Sequence, residues 1–187
     1  MVPVKRLIEQ AMEAMGNAYA PYSGFRVGAA LLTEDGRIYQ GCNVENAAYS
    51  PSCCAERTAF FKAVSEGIRK FEAICIVGGM NGIVTDLTAP CGVCRQVMME
   101  FCQPDQFQII LALDTEHYEI HSLEELLPVG FGPANLVHRK IINCHISRPE
   151  FPIVLLRKPQ RSPLRLRLWS STLENLSQLM SQLLVLR

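Results

Sequence analysis

The sequence predicts an α/β domain whose helices and strands form layers around a mixed sheet. The chain has 187 residues and 49% of them are apolar, so it can bury a core within one domain. After an initial hairpin pattern, amphipathic helical patterns alternate with short apolar strand patterns. That alternation is typical of an α/β protein rather than of an all-helical or all-strand one.

Each element follows from periodicity and from the residues that interrupt it. Val4–Ala18 has apolar residues at helical spacing and stops before Pro21. Strand patterns at 25–33 and 37–44 flank the turn sequence Glu34-Asp35-Gly36. The other predicted elements are helices at 54–65, 91–101 and 123–127 and strands at 73–79, 107–113 and 118–121.

Composition and charge exclude several classes of protein. No apolar run reaches the ~18 residues of a membrane span, and the N-terminal segment is charged rather than a signal peptide. A cytoplasmic protein with free thiols is therefore expected, and its eight cysteines favour a metal site over a disulfide framework. Residues 1–135 carry a net charge of −7 and residues 136–187 carry +7. The acidic body makes nucleic acid an unlikely partner for the main domain.

The most informative motif combines Cys54-Ala55-Glu56 with Pro90-Cys91-Gly92-Val93-Cys94. Zinc favours thiolate ligands, and a catalytic zinc site uses three protein ligands and leaves one position for water. Cys54, Cys91 and Cys94 supply three, and both segments open predicted helices, whose N-termini stabilise thiolates. The alternative interpretation is a set of buried core cysteines or a structural zinc knuckle.

Two neighbours of Cys54 complete the predicted chemistry. Glu56 lies in the first helical turn, where it can stand beside the metal without binding it and move protons. Arg57 is a candidate donor to the thiolates, whose excess negative charge needs compensation. Cys53 is adjacent to the first ligand and is a possible competitor for the metal, but only Cys54 has the Cys-Ala-Glu context.

Five stretches of the chain resemble the small homotetrameric cytidine deaminases. They are residues 19–32 (YAPYSGFRVGAALL), 41–47 (GCNVENA), 54–59 (CAERTA), 90–96 (PCGVCRQ) and 125–133 (ELLPVGFGP). The resemblance implies a three-layer cytidine-deaminase-like fold with a mixed central sheet of about five strands flanked by helices. It also implies a Zn²⁺ cofactor, a homotetramer, and hydrolysis of cytidine and deoxycytidine to uridine and deoxyuridine with release of ammonia, as in pyrimidine salvage.

The resemblance further implies roles for individual residues. Asn43 and Glu45 hold the ribose, with Val44 in the same substrate-binding segment, and Phe25 stacks on the pyrimidine. Glu56 moves a proton first to N3 of cytosine and then to the departing amino group. Three of these residues also have an ordinary interpretation: Phe25 as a core residue, Asn43 as a turn residue and Glu45 as a solvated surface charge. Residues expected to reach a neighbouring subunit's site are Ala47, Tyr49 and Phe131.

The C-terminal part departs from the family pattern. We expect residues 1–136 to form the deaminase domain and residues 137–187 to be a basic, largely disordered extension. A capping-box sequence at Ser171 and Glu174 permits an amphipathic helix near 172–186. The extension is either without function, as from altered splicing or reading frame, or a tail that binds a partner or nucleic acid. Its histidines, His138 and His145, are poor zinc candidates.

Two other functions remain compatible with the same motif. A polynucleotide-editing deaminase of the same superfamily would need basic or aromatic contacts to a strand, which the acidic body lacks. A zinc protein without activity would result if the tail prevented the subunits from assembling.

Overall fold

The computed structural model describes residues 2–136. The helices are α1 (Val4–Gly16), α2 (Ala55–Ser65), α3 (Gly92–Phe101), α4 (Leu123–Leu126) and α5 (Pro133–Leu136); the strands are β1 (Phe25–Thr33), β2 (Ile38–Cys42), β3 (Phe71–Met80), β4 (Gln108–Ala112) and β5 (Tyr118–Ser122). The strands form one sheet in the order β2-β1-β3-β4-β5. The β3–β4 pair is parallel and the other pairs are antiparallel, so the predicted mixed sheet is confirmed.

The sheet separates two apolar cores, because alternate residues of each strand face opposite sides. On one side, Ala30 and Leu32 of β1 pack with the apolar stripe of α1. On the other side, Ala29 and Leu31 pack with residues of α2 and α3. The result is helix, sheet and helix in three layers, as the sequence predicted.

Gly41 of β2 sets how closely α2 approaches the sheet. A Cβ atom at this position would clash with the carbonyl oxygen of Ala55 and lie 2.5 Å from the backbone nitrogen of Ala59. Only glycine permits this contact. The N-terminus of α2, where Cys54 lies, is thereby pressed against the sheet near the end of β2.

The observed boundaries differ from the predicted ones mainly where tertiary contacts decide. The strand predicted at 37–44 ends at Cys42, because Val44 leaves the sheet and pairs with Cys53 instead. The strand predicted at 73–79 extends over Phe71–Met80, since β1 pairs with it along almost its whole length. The short helix α5 was not predicted.

Several predictions concern residues that the structure does not describe. The possible helix near 172–186, its capping box at Ser171 and Glu174, and the histidines His138 and His145 all lie outside residues 2–136. Among the described residues, none of the helices has the length and apolar character needed to cross a membrane.

Candidate active site

Two helix N-termini bring the three predicted ligand cysteines together. Cys54 is the N-cap of α2, Cys91 is the N-cap of α3, and Cys94 lies in the first turn of α3. The Sγ atom of Cys91 is 3.8 Å from that of Cys54 and 3.5 Å from that of Cys94. All three sulfur atoms lie within 4.8 Å of one another. Neither N-cap thiol makes a capping hydrogen bond to its own helix, so both are free to bind a metal.

The spacing and chemistry of this cluster fit zinc. A tetrahedral zinc ion about 2.3 Å from each sulfur separates the sulfurs by about 3.8 Å, close to the distances observed. Hydrogen bonding from Cys94, with a further contribution from Arg57, lowers the pKa of Cys54 to about 5. The Cys94 thiol donates this hydrogen bond to Cys54, and the bond, followed by burial, raises the pKa of Cys94. A cation between the sulfurs would favour ionisation of Cys94 beside the Cys54 thiolate, and zinc is a cation that prefers such a donor set.

Arg57 contacts the first of these thiols. Its Nη2 donates to the carbonyl oxygen of Ser52 at 3.0 Å and lies 3.7 Å from the Sγ atom of Cys54. The arginine thus helps to lower the pKa of the Cys54 thiol. Its Nε is buried without a hydrogen-bond partner among residues 2–136. The structure places Arg57 where a compensating positive charge is needed.

Glu56 is buried beside the thiol cluster without belonging to it. Its side chain is only 4% exposed, although a glutamate side chain in water is charged at neutral pH. Burial, followed by the charge of the Cys54 thiolate, raises the pKa of Glu56 above that of an ordinary glutamate. A carboxylate with a raised pKa is a stronger base than an ordinary glutamate, which suits it to general acid–base chemistry.

A cavity of about 310 Å³ opens onto Glu56 and the cysteines. Its walls are formed by Ser23, Phe25, Val27, Asn43, Glu45, Ser52, Cys53, Cys54, Glu56, Thr88, Ala89 and Cys91. The cavity therefore brings together the predicted Phe25, Asn43, Glu45 and Glu56 with two of the three thiols. Small-molecule sites have volumes of about 300–1,000 Å³, so the cavity is large enough for a compact ligand.

Asn43 lies between the first residues of β1 and the cavity. Its Oδ1 accepts from the backbone N–H of Val27, and its Nδ2 donates to the carbonyl oxygen of Phe25, both at 2.8 Å. These two bonds orient the amide unambiguously. Each amide atom keeps one further hydrogen-bonding position, because the oxygen has two lone pairs and the nitrogen has two hydrogens.

Glu45 presents an ionised carboxylate at the cavity wall. Its Oε2 accepts from the backbone N–H groups of Tyr22 and Ser23 at 2.9 and 3.2 Å, and its Oε1 accepts from the Ser23 hydroxyl at 2.5 Å. The Ser23 hydroxyl and the Tyr22 N–H lower the pKa of Glu45. The carboxylate is held in place as a strong hydrogen-bond acceptor.

Val44 is the predicted substrate-binding residue that does not line the cavity. Its backbone exchanges two hydrogen bonds of 2.9 Å with that of Cys53. This pairing holds the segment that leads to Cys54. Cys53 itself lines the cavity but lies outside the three-thiol cluster.

Sequence reasoning missed several residues of the cavity wall. Ser23 lies in one of the stretches that resemble the family, but the sequence assigned it no role, because its contact with Glu45 becomes apparent only in three dimensions. Thr88 carries no sequence signal, and its hydroxyl donates to the carbonyl oxygen of Gly78 at 3.2 Å. This bond ties the segment before Pro90 to the end of β3. Arg95 is not part of the cavity wall, but from α3 it donates to the carbonyl oxygen of Pro90 and so holds the same segment; the sequence assigned it no role either.

A larger groove of about 750 Å³ lies at the other end of β3, where Phe71 and Glu72 begin the strand. Its walls bear two cationic side chains, Arg69 and Lys70, and two acidic ones. Lys70 already forms an ion pair with Glu34 at 3.2 Å. No cysteine or histidine is among the described residues that line this groove, whereas the smaller cavity contains Cys53, Cys54 and Cys91.

Comparison with known proteins identifies the family. The family model described as the cytidine and deoxycytidylate deaminase zinc-binding region matches residues 1–110. The chain belongs to this family. The cytidine deaminase of Sporosarcina psychrophila is 49% identical over 133 residues, covering 71% of this chain and 94% of that protein. The cytidine deaminase of Halalkalibacterium halodurans is 48% identical over 125 residues, covering 67% and 91%.

Solved structures of the cytidine and deoxycytidylate deaminase family agree with the fold. A crystal structure of cytidine deaminase from Burkholderia pseudomallei has a TM-score of 0.63 and 46% identity, covering 70% of this chain and all of that one. Cytidine deaminase from Mycobacterium tuberculosis has a TM-score of 0.60 and 38% identity, covering 71% and 99%. These matches confirm the three-layer deaminase fold and, with the family's zinc-binding region, the zinc cofactor.

Proposed function

We propose that this protein catalyses the zinc-dependent hydrolysis of cytidine and deoxycytidine to uridine and deoxyuridine, with release of ammonia. The observation that carries the proposal is the buried Glu56 beside the cluster of Cys54, Cys91 and Cys94, at the end of a cavity that also exposes Asn43 and Glu45. This combination gives one proton-transferring carboxyl, one metal site and two groups that can hold a sugar.

Cys54, Cys91 and Cys94 would hold the zinc ion, which supplies Lewis-acid activation of water for attack on C4 of cytosine. Glu56 accepts the proton released by that water and delivers it to N3 of the ring. It then takes the proton of the new C4 hydroxyl group and transfers it to the 4-amino group, which leaves as ammonia while C4 becomes a carbonyl, so that one water is consumed for each ammonia formed. The raised pKa of Glu56 makes its carboxylate a better acceptor for the water proton than an ordinary glutamate.

Asn43 and Glu45 are the groups that would bind the ribose. The remaining hydrogen-bonding position on each Asn43 amide atom and the ionised Glu45 carboxylate suit a sugar hydroxyl, which both donates and accepts. Phe25, which is 36% exposed in the cavity wall, would pack against the pyrimidine ring. Among residues 2–136, neither Lys nor Arg lines this cavity, which favours a free nucleoside over a nucleotide or polynucleotide.

We further propose a cytoplasmic homotetramer that acts in pyrimidine salvage, in which residues 1–136 form the catalytic domain. The support for assembly is exposed apolar surface: Tyr49 is 75% exposed and Phe131 is 57% exposed. The carbonyl oxygen of Phe131 accepts from Gln96 Nε2 at 2.7 Å, so α3 holds the backbone that carries this exposed ring. Contact with neighbouring copies would remove these side chains from water.

The decisive experiment measures ammonia release from cytidine and from deoxycytidine, together with zinc stoichiometry on the same sample. We expect one zinc per chain and release of ammonia from both nucleosides. Bound zinc without release of ammonia from either would instead indicate an inactive zinc protein. Activity on single-stranded DNA or RNA but not on free nucleosides would indicate an editing deaminase.

A further inference from the structure

Arg95 holds the segment that carries Cys91 into the thiol cluster, and the proposed reaction assigns it no role. It is half-buried in the early part of α3. Its Nε donates to the carbonyl oxygen of Pro90 at 2.8 Å, and its Nη1 donates to the carbonyl oxygen of Leu126 at 2.7 Å. One guanidinium therefore ties the residue directly before Cys91 to the last residue of α4.

The three thiols differ in how firmly the protein holds them. Cys94 is 1% exposed and lies within α3. Cys54 follows a residue that is paired with Val44, and its sulfur contacts Arg57. Cys91 is the exposed member of the cluster and precedes the first residue of α3. It is therefore the ligand that most needs support from its surroundings.

The residue before Cys91 limits how that support can be given. Pro90 has no N–H group, so its carbonyl oxygen is the one backbone group through which a hydrogen bond can hold it. Within residues 2–136, the donor to that carbonyl is Arg95 Nε. Rotation of the Pro90–Cys91 peptide would redirect the Cys91 side chain, and zinc–sulfur distances tolerate changes of only about 0.2 Å.

We propose that Arg95 is a positioning residue for the metal site, which aims the Cys91 sulfur at those of Cys54 and Cys94. The inference rests on the zinc-binding part of the proposed function. The planar guanidinium presents several donors in a rigid fork, so it can satisfy the two carbonyl oxygens at once. A lysine ammonium, as a compact charge on a flexible stem, holds this geometry less well.

The test compares the zinc-loaded wild-type protein with Arg95→Met, Arg95→Lys and the control Arg6→Met, under reducing conditions. Arg6 is exposed on α1, on the face of the sheet opposite to the thiol cluster. Transfer of zinc to a chromophoric chelator is followed over time. Loss of an outer contact to a metal ligand costs about 10–100-fold in metal affinity. We expect zinc release at least about 10-fold faster from Arg95→Met, an intermediate rate from Arg95→Lys, and the wild-type rate from Arg6→Met.

A second readout separates positioning from a merely structural role. Urea unfolding of each protein is measured with and without bound zinc. If Arg95 positions Cys91, Arg95→Met lowers the unfolding midpoint more in the zinc-loaded protein than in the metal-free protein, because it weakens metal binding to the folded state. A structural contact alone would lower both midpoints equally.

The possible failures are distinguishable. Wild-type protein that binds no zinc would overturn the zinc-binding part of the proposed function. Wild-type protein that binds zinc, with Arg95→Met releasing it at the rate of Arg6→Met, would overturn the role of Arg95 alone. If Arg95→Met does not fold, a wild-type release rate in Arg95→Lys overturns the inference, and faster release supports it.

Discussion

At the scale of single residues, the site combines groups whose protonation states depend on one another. The Cys54 thiol has a pKa lowered to about 5, and its negative charge contributes to the raised pKa of Glu56. Desolvation is the larger cause for Glu56, because the side chain is almost completely buried. A bound cation would offset the thiolate charge but would leave the burial, so Glu56 remains suited to taking up and releasing protons.

Glu56→Gln removes the proposed proton carrier while preserving the size of the side chain. We expect kcat for cytidine to fall by about 10²–10⁴-fold, the range for loss of a general acid–base group. Zinc stoichiometry should not change, since Glu56 does not belong to the thiol cluster. The matched control is Glu100→Gln, an exposed glutamate on α3, which should behave as wild type. Near wild-type turnover in Glu56→Gln would refute the assignment.

The adjacent cysteines Cys53 and Cys54 provide a direct test of ligand choice. Cys54→Ser should lose most of its zinc, because a hydroxyl replaces one of the three thiolates. Cys53→Ser should retain zinc, since its sulfur lies outside the cluster. Zinc content after dialysis against a weak chelator measures both. The reverse pattern would show that Cys53 is the ligand.

At the scale of elements, the site depends on where two helices begin. Helix α2 begins after Cys54 and helix α3 after Cys91, so each N-terminus directs its positive partial charge towards the thiols. The position of α2 in turn depends on its contact with Gly41 of β2, where no side chain fits. The packing of α2 on β2 at Gly41 therefore also sets the position of Cys54.

Gly41→Ala should disturb this connection. The added methyl group would meet the backbone of Ala55 and Ala59, which can move only if α2 moves. We expect a loss of about 1–3 kcal/mol in the free energy of unfolding, as for other overpacked positions. Urea denaturation measures it. Gly16→Ala is the control: no atom of the described residues lies within 4 Å of its added Cβ, so no overpacking loss is expected. Equal stability of the two variants would contradict the proposed close packing.

At the scale of the whole molecule, activity is proposed to reside in residues 1–136 and in their assembly. The net charge of −7 on residues 1–135 and of +7 on residues 136–187 shows how different the two parts are in sequence. The family match ends at residue 110, and the Sporosarcina psychrophila relative covers 71% of the chain. The groups that we propose for catalysis all lie within the part that these relatives resemble.

Removal of residues 137–187 tests that division. We expect the shortened chain to stay soluble, to bind zinc and to keep the specific activity of the full chain. Both proteins should have the mass of four chains by light scattering after size-exclusion chromatography. Loss of activity on truncation, with zinc and fold retained, would show that the extension takes part in the site or in assembly. A tetramer formed only by the shortened chain would show that the extension opposes assembly.

Much of the site could be predicted because its chemistry is local in sequence. Cys54 and Glu56 share one helical turn, and Cys91 and Cys94 share another, so the spacing predicts which side chains can converge. Ser23, Thr88 and Arg95 could not be found in this way. Each acts through a hydrogen bond to a residue that is distant in sequence or to a backbone carbonyl, and no spacing rule reports such a contact.

By itself, the sequence determined the layered α/β class, the three thiols and the resemblance to cytidine deaminases, and it predicted the acid–base role of Glu56, because periodicity and short motifs depend on neighbours along the chain. Only the tertiary structure decided that β2 ends at Cys42, that Val44 supports the loop rather than lining the cavity, and that Arg95 holds Pro90. These features arise from pairings between distant segments. Their energies depend on contacts between residues that are distant in sequence, and no local pattern specifies such contacts.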